Sequence, residues 1–273
     1  METAEVIKSV AKVSDFNTAY DFEVYDIEGT IDAFVKYRPL MFATIGIYLF
    51  LVYFGQKWME SRPAFKLTTP LFFWNMGLGI FSIVATIRGF PELFYVLRQP
   101  EGLYLSTCST LPNNYATSFW ALMFALSKFV ELGDTAFIVL RKQKLIVLHW
   151  FHHVATLLMC WYGFEFYDTF GRYFIINTFV HSIMYPYYAL KAVKVKIPKR
   201  ASKAITRIQI LQMFAGLYVN FYGFYYLASG RPCQRDMRQV YLSGVVIFIF
   251  VVLFINFYKQ SYSRQNQKKV KSP

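Results

Sequence analysis

Charge is what this chain has little of. Asp, Glu, Lys and Arg make up 16% of its 273 residues, while 56% are hydrophobic and 20% aromatic. A soluble globular domain carries about 25% charged residues, so that class is set aside. Acid is scarcer than base, 16 residues against 29, and the net charge of +13 is spread unevenly. Three cysteines are too few for a disulfide scaffold. The absence of internal repeats and low-complexity segments sets aside solenoids and disordered polymers. Residues 1–32 are acidic and lack the apolar core of a secretory leader, so no signal peptide is expected. Histidine is scarce too, with four in the chain, and their placement is its most informative feature.

What is abundant is apolar sequence in seven long runs, roughly 37–55, 71–94, 116–140, 145–164, 172–190, 205–228 and 240–258. Each is long enough to cross about 30 Å of hydrocarbon at about 1.5 Å per residue. The expectation is an all-α integral membrane protein, with seven transmembrane helices around a cavity that is part polar and part apolar. It would form one membrane domain over 1–273: a segment 1–35, a helical core 36–258 and a basic tail 259–273.

With seven crossings the loops alternate sides. One side collects Lys57, Arg62 and Lys66, then Arg141, Lys142 and Lys144, then Lys191, Lys194, Lys196, Lys199, Arg200 and Lys203. It also receives the tail, with Lys259, Arg264, Lys268, Lys269 and Lys271, so it holds 17 of the 29 basic residues against one acid, Glu60. The other side has eight acids within the first 32 residues. Lys and Arg mark the cytosolic side, so the C-terminus is expected in the cytosol and the N-terminus across the membrane. Topology alone accounts for such loops; binding of a polyanionic headgroup or cofactor is the alternative, and no nucleic acid partner is expected. Cys108 and Cys233 fall in the second and sixth loops, both non-cytosolic, and an oxidising lumen would let them pair as a Cys108–Cys233 disulfide. The tail, Lys269-Val270-Lys271-Ser272-Pro273, is similar to the Lys-x-Lys-x-x retrieval signal of endoplasmic reticulum membrane proteins.

Polar groups inside the runs form stripes. His149, His152 and His153 stand at i, i+3 and i+4, on one helix face. Lys128, Glu131, Asp134 and Thr135 share a side of the third run, as an internal ion-pair network, as catalytic groups, or as both. Asn177, His181, Tyr185 and Tyr188 line one side of the fifth run, and Thr206, Gln209 and Gln212 one side of the sixth. Titratable groups at membrane depth are costly and face a bundle interior or an aqueous cavity. Four consecutive stripes can converge on one such cavity.

The His-x-x-His-His spacing also occurs in di-iron membrane desaturases and hydroxylases, but those need more histidines than this chain has. A single metal on two or three histidines is an alternative, with Glu131 and Asp134 orienting the rings. Without metal, imidazole can act as general acid and base, or as a nucleophile forming an acyl-imidazole. Cys160 lies about 10 Å along the helix from His153 by rise per residue. That is too far for a direct thiol–imidazole pair, and Cys160 is read as a packing residue.

These stripes resemble the signatures of the fatty acid elongase family. Lys128-Phe-Val-Glu131-Leu-Gly-Asp134-Thr135 is similar to its Lys-x-x-Glu-x-x-Asp-Thr motif, and His149-Trp-Phe-His152-His153 to its histidine box. His181-Ser-Ile-Met184-Tyr185-Pro-Tyr187-Tyr188 resembles His-x-x-Met-Tyr-x-Tyr-Tyr, and Thr206-Arg-Ile-Gln209-Ile-Leu-Gln212 resembles Thr-x-x-Gln-x-x-Gln. The likeness runs from about residue 35 to 262. Residues 140–150 look most like the subclass handling saturated and monounsaturated medium-to-long chains.

The resemblance implies a seven-span enzyme of the endoplasmic reticulum that condenses a long-chain acyl-CoA with malonyl-CoA. The products are a 3-ketoacyl-CoA two carbons longer, carbon dioxide and CoA, and no metal or redox cofactor is implied. A ketoacyl reductase, a dehydratase and an enoyl reductase complete the cycle and are the expected partners; a homodimer is compatible. His152 is the expected nucleophile or acyl acceptor, with His181 facing it and His149 and His153 beside it. Glu131, Asp134 and Asn177 would orient the rings, Lys128 belongs to the same stripe, and Gln209 and Tyr188 would stabilise developing oxyanions. Lys142, Lys144, Tyr187, Lys203, Thr206, Lys259 and Arg264 would meet CoA at a cytosolic mouth. The alternatives are a di-iron lipid desaturase or hydroxylase, and a membrane transporter. Because four histidines are too few for a di-iron box, condensation is expected to run without stoichiometric metal. Activity lost in chelator and restored by iron or zinc would count against that.

Overall fold

The computed structural model of the chain describes residues 14–263. Among the described residues nine α-helices follow one another: α1 (Ile27–Glu60), α2 (Thr68–Leu97), α3 (Gly102–Cys108), α4 (Tyr115–Glu131), α5 (Gly133–Leu140), α6 (Val147–Glu165), α7 (Phe174–Ala192), α8 (Lys199–Ala228) and α9 (Met237–Tyr258). Short 3-10 turns over Asp21–Glu23 and Thr169–Tyr173 and a π-turn over Lys259–Ser263 complete the path. Among the described residues there is no extended strand, as the all-α expectation requires.

Each apolar run coincides with helix, apart from a few residues at its ends. The third is broken at Leu132, so α4 and α5 share it. On length and composition alone, however, three helices meet the demands of a membrane crossing: Ile27–Glu60, Thr68–Leu97 and Met237–Tyr262. The seven expected crossings come down to three on this measure for a physical reason. Helices α4 and α5, with 17 and 8 residues, are each shorter than the roughly 20 residues that span a bilayer, and α6 to α8 carry the polar stripes.

The helix connections gather at two ends of the bundle. At the first, Lys142 Nζ donates to the Glu60 carbonyl at 3.0 Å, the Phe65 amide donates to the Leu140 carbonyl at 3.0 Å, and Tyr262 Oη lies 3.3 Å from Thr206 Oγ1. This brings the basic connections α1–α2 and α5–α6 together, and sets the basic start of α8 against the turn after α9. At the second end, Cys108 and Cys233 are joined as a disulfide. Arg172 pairs with Glu92 at 2.7 Å, Arg235 with Asp168 at 2.6 Å and Arg88 Nε with Glu23 at 2.8 Å. Five of these six charged side chains are at most 4% exposed and Arg88 is 15% exposed; charges this dry persist because each has its partner.

Three apolar clusters fill the interior of the described residues, one of them, with Ala85, Leu93, Phe124, Phe174 and Ile175, joining α2, α4 and α7. Phe34, Met41, Leu122, Leu157 and Trp161 pack α1, α4 and α6 together, and Met213, Ile247, Phe250 and Phe254 pack α8 and α9 against α6. Helices α2 and α7 lie close enough that a Cβ on Gly89 would stand 2.8 Å from Ile175 Cγ1. Outward faces stay apolar, with Phe50, Leu51, Phe73, Ile87, Phe221 and Phe248 all exposed. Such continuous apolar surface calls for hydrocarbon or another apolar partner rather than water.

The disulfide closes a loop of 125 residues. Removing it by Cys233→Ser is expected to destabilise the fold by about 2–5 kcal/mol. Thermal unfolding should show a lowered Tm, and non-reducing peptide mapping of the wild type should recover Cys108 and Cys233 as one linked pair. Both found as free thiols would contradict it.

Candidate active site

The break at Leu132 is where the site is organised. On the α4 side, Lys128 Nζ donates to Glu131 Oε1 at 2.7 Å, with side chains 2% and 4% exposed. Ser127 Oγ donates to the same oxygen at 3.1 Å, and the ammonium stands 3.9 Å over the Phe124 ring. An i, i+3 spacing makes this pairing available on a helix, and burial makes it compulsory. On the α5 side, Gly133 leaves room for an indole: a Cβ there would lie 2.6 Å from Trp74 Cζ2. Trp74 Nε1 thereby reaches Asp134 Oδ1 and donates to it at 2.6 Å, while Tyr185 Oη donates to Oδ2 at 3.1 Å.

Helix α6 presents the histidines to this carboxylate. His153 Nε2 is 4.0 Å from Asp134 Oδ2, and His149 Nε2 is 3.0 Å from Thr135 Oγ1, which in turn meets Tyr48 Oη at 2.8 Å. The rings of His149 and His153 are 4.5 Å apart, and that of His152 rests 5.0 Å from Phe250. His181, on α7, stands edge-on to Tyr185 at 5.1 Å. Nδ1 of His152 and of His153 and Oε1 of Gln212 are buried with no hydrogen-bond partner among the described residues. Unpaired buried polar atoms are unusual and mark where a bound molecule can complete the set.

Two chambers meet at His152. The outer one, about 630 Å³, opens among the basic connections and is lined by the four histidines with Asn177, Tyr187, Tyr188, Thr206 and Gln209. The inner one, about 160 Å³, runs toward the disulfide end between Phe124, Lys128, Cys160, Phe164, Gly216 and Phe250. His152, Asn177, Gln212 and Met213 line both. Cys160 is thus a wall of the inner chamber, packed in the apolar core. Gln209 Nε2 donates to Met184 Sδ at 3.1 Å, leaving its carbonyl end for the chamber. Among the described residues no three His, Cys, Asp or Glu side chains stand together as a metal-holding group.

The sequence places most of these residues, but not all as expected. Glu131 serves Lys128 and orients no histidine; Asp134 and Thr135 stand beside the rings instead. Lys142 and Lys144 are exposed and are not among the residues lining the chamber, Lys142 being in a left-handed backbone conformation at φ 52°; Arg141 and Gln143 line it in their place. Lys203 stands beside the lining rather than in it, its ammonium 5.7 Å over the Tyr258 ring, and Lys259 is exposed. Arg264 and the tail lysines Lys268, Lys269 and Lys271 lie outside the described residues. Trp74 and Tyr48 were not anticipated; each is one aromatic among many in an apolar run, with no local signal that it touches the site.

The model of the ELO: GNS1/SUR4 family matches residues 33–270. The chain is 41% identical over 227 residues to a Drosophila melanogaster protein named very long chain fatty acid elongase 6, covering 81% of this chain and 72% of that one. It is 38% identical over 257 residues to human very long chain fatty acid elongase 3, covering 92% and 94% of the two chains, and 36% identical over 228 residues to human very long chain fatty acid elongase 6, covering 83% and 85%.

The dry Lys128–Glu131 pair can be separated from chemistry by mutation. Glu131→Ala strands a buried ammonium and is expected to destabilise the protein by about 3–5 kcal/mol. The double replacement Lys128→Met/Glu131→Leu should recover most of that in thermal unfolding without recovering turnover. Recovery of both would make the pair a structural element only.

Proposed function

The chain belongs to the ELO family and is a fatty acid elongase, and we propose that it condenses a long-chain acyl-CoA with malonyl-CoA at the junction of its two chambers. The observation that carries this reading is that His152 lines both the apolar inner chamber and the wide outer one. A thioester has the same two-sided character, with an alkyl chain on one side of the carbonyl and a polyanionic carrier on the other. With the chain in the inner chamber and CoA toward the basic connections, the carbonyl stops at His152.

The His152 ring nitrogen attacks that carbonyl, the carbon–sulfur bond breaks, and CoA leaves as a thiolate that takes up the imidazole proton. Malonyl-CoA then enters the outer chamber and loses carbon dioxide, and its enolate carbon attacks the acyl-imidazole. A carbon–carbon bond forms, the acyl–nitrogen bond breaks as the freed His152 nitrogen takes up a proton from water by way of His181, and the 3-ketoacyl-CoA departs two carbons longer. Asn177 and Tyr188 are the side chains available to meet developing negative charge, whereas Gln209, its amide nitrogen committed to Met184 Sδ, presents an acceptor instead; His181 handles protons in the same chamber. Asp134, held by Trp74 and Tyr185, positions the neighbouring His153. Lys203, Thr206 and Tyr187 are assigned to the carrier at the mouth, with Arg141 and Lys191, which line it.

The same reading places the protein in the endoplasmic reticulum membrane. The bundle would cross seven times, with α4 and α5 as one broken crossing, the N-terminus lumenal and the basic end cytosolic. The gathering of basic connections at one end and of the disulfide at the other supports that orientation. The reductase, dehydratase and reductase steps that follow call for the three partner enzymes of the cycle. The substrates themselves supply the reacting groups, so no separate cofactor enters.

His152→Ala and His181→Ala should each lower kcat by at least the 10²–10⁴-fold, in order of magnitude, that general acid–base catalysis contributes, while acyl-CoA binding persists. Wild-type enzyme given acyl-CoA alone should release about one CoA per site in a burst, as acyl-enzyme chemistry requires. Absence of a burst would leave His152 as an acid–base residue; near-normal turnover by His152→Ala would remove the centre from this place.

A further inference from the structure

The blind end of the inner chamber is polar. Asn114, Thr117 and Ser118, at the start of α4, line it with Glu92 and Tyr167. Ser118 Oγ is 2.7 Å from Tyr25 Oη and accepts from Tyr167 Oη at 3.0 Å. Tyr167 does this from a left-handed backbone position, φ 46°, which residues with a side chain seldom occupy unless the surroundings hold them there. Thr117 is 3% exposed and its Oγ1 has no hydrogen-bond partner among the described residues. Glu92, 1% exposed, gives Oε1 to Arg172, while its Oε2 has no partner among them. Gly163, in the same chamber, is eleven residues beyond His152 on α6, or about 16 Å along the axis. The walls between are mostly apolar, with Phe124, Cys160, Phe164 and Phe250; of the polar side chains that also line the chamber, Lys128 is paired with Glu131 and Thr156 Oγ1 donates to the His152 carbonyl at 2.7 Å, while Gln239 Oε1, beside Gly163, has no partner among the described residues.

A plain alkyl chain needs polar groups nowhere along its path. A methyl terminus pressed against Thr117 and Glu92 offers neither donor nor acceptor, and burying such groups unpaired is costly. A terminal hydroxyl can donate to Glu92 Oε2 and accept from Thr117 Oγ1. We propose that the polar blind end recognises a hydroxyl at the far terminus of the acyl chain, so that ω-hydroxyacyl-CoAs belong to the substrate class of this elongase. The proposal rests on the condensation reading above for its chemistry, and on the chamber alone for its recognition.

The test compares acyl-CoAs of increasing length, each made with a methyl and with a hydroxyl terminus. For chains too short to reach the end, the two kcat/KM values should agree. For chains that span the chamber, the hydroxyl form should be favoured at least about fivefold, the worth of a single net hydrogen bond. Thr117→Val, similar in shape but without the hydroxyl, should bring that ratio back toward one. Because the ratio is taken within each protein, a general loss of activity cancels. Competition binding of the matching thioether analogues, without malonyl-CoA, reads the chamber independently of turnover. Preferential binding of the hydroxyl analogue by a protein that condenses nothing would overturn the condensation reading and uphold this one. Equal or methyl-favouring ratios at every length, or a preference that Thr117→Val leaves intact, would overturn it.

Discussion

Lys128 and Glu131 sit one turn apart on α4, 2% and 3% exposed, and neither could occupy the interior without the other. Their pairing fixes the last turn of α4. The chain then breaks at Leu132, and Gly133 yields its side-chain space to Trp74. With Trp74 in place, Asp134 has one oxygen committed to the indole and the other to Tyr185. A carboxylate held on both sides cannot swing away, so His153 and its neighbours on α6 face a fixed group. The histidine face thus depends on a chain of buried polar contacts, each required by the cost of leaving the one before it unpaired.

The two ends of the bundle solve different problems. The disulfide end is closed by a covalent bond and buried ion pairs that tie α3, the Thr169–Tyr173 turn and the start of α9 together. Such an end resists opening and suits the closed bottom of a chamber. At the basic end few bonds join the connections, and the wide outer chamber lies there. The proposed condensation uses that difference, with entry from the basic end and the acyl chain directed toward the disulfide end. Catalysis between them needs a residue that reaches both chambers, and His152 is placed to do so.

Polar residues in an apolar run are costly unless they are used, and this chain uses them twice. Around the histidines they build the candidate site, where Nδ1 of His152 and of His153 are buried without a partner among the described residues. Toward the disulfide end, a second group of hydroxyls and a carboxylate lines the inner chamber. Between the two the chamber wall is mostly apolar, with Phe124, Cys160, Phe164 and Phe250.

The sequence by itself determined the helices, the histidine face and the stripes on α4, α6, α7 and α8. All of these are local: helical period decides which residues share a face, and the cost of burying polar groups decides that the face turns inward. It also matched Cys108 with Cys233, because counting crossings assigns both to one side. Tertiary structure alone decided the rest. The seating of Trp74 on Gly133 and its bond to Asp134 cross a separation of about sixty residues that no local pattern spans. The choice of Arg141 and Gln143 over Lys142 and Lys144 at the mouth depends on one left-handed residue in a turn. The division of the cavity into two chambers depends on which side chains of different helices meet at His152. Periodicity tells which side of a helix is buried; what that side touches is set by the neighbouring helices, and their placement is a property of the whole bundle.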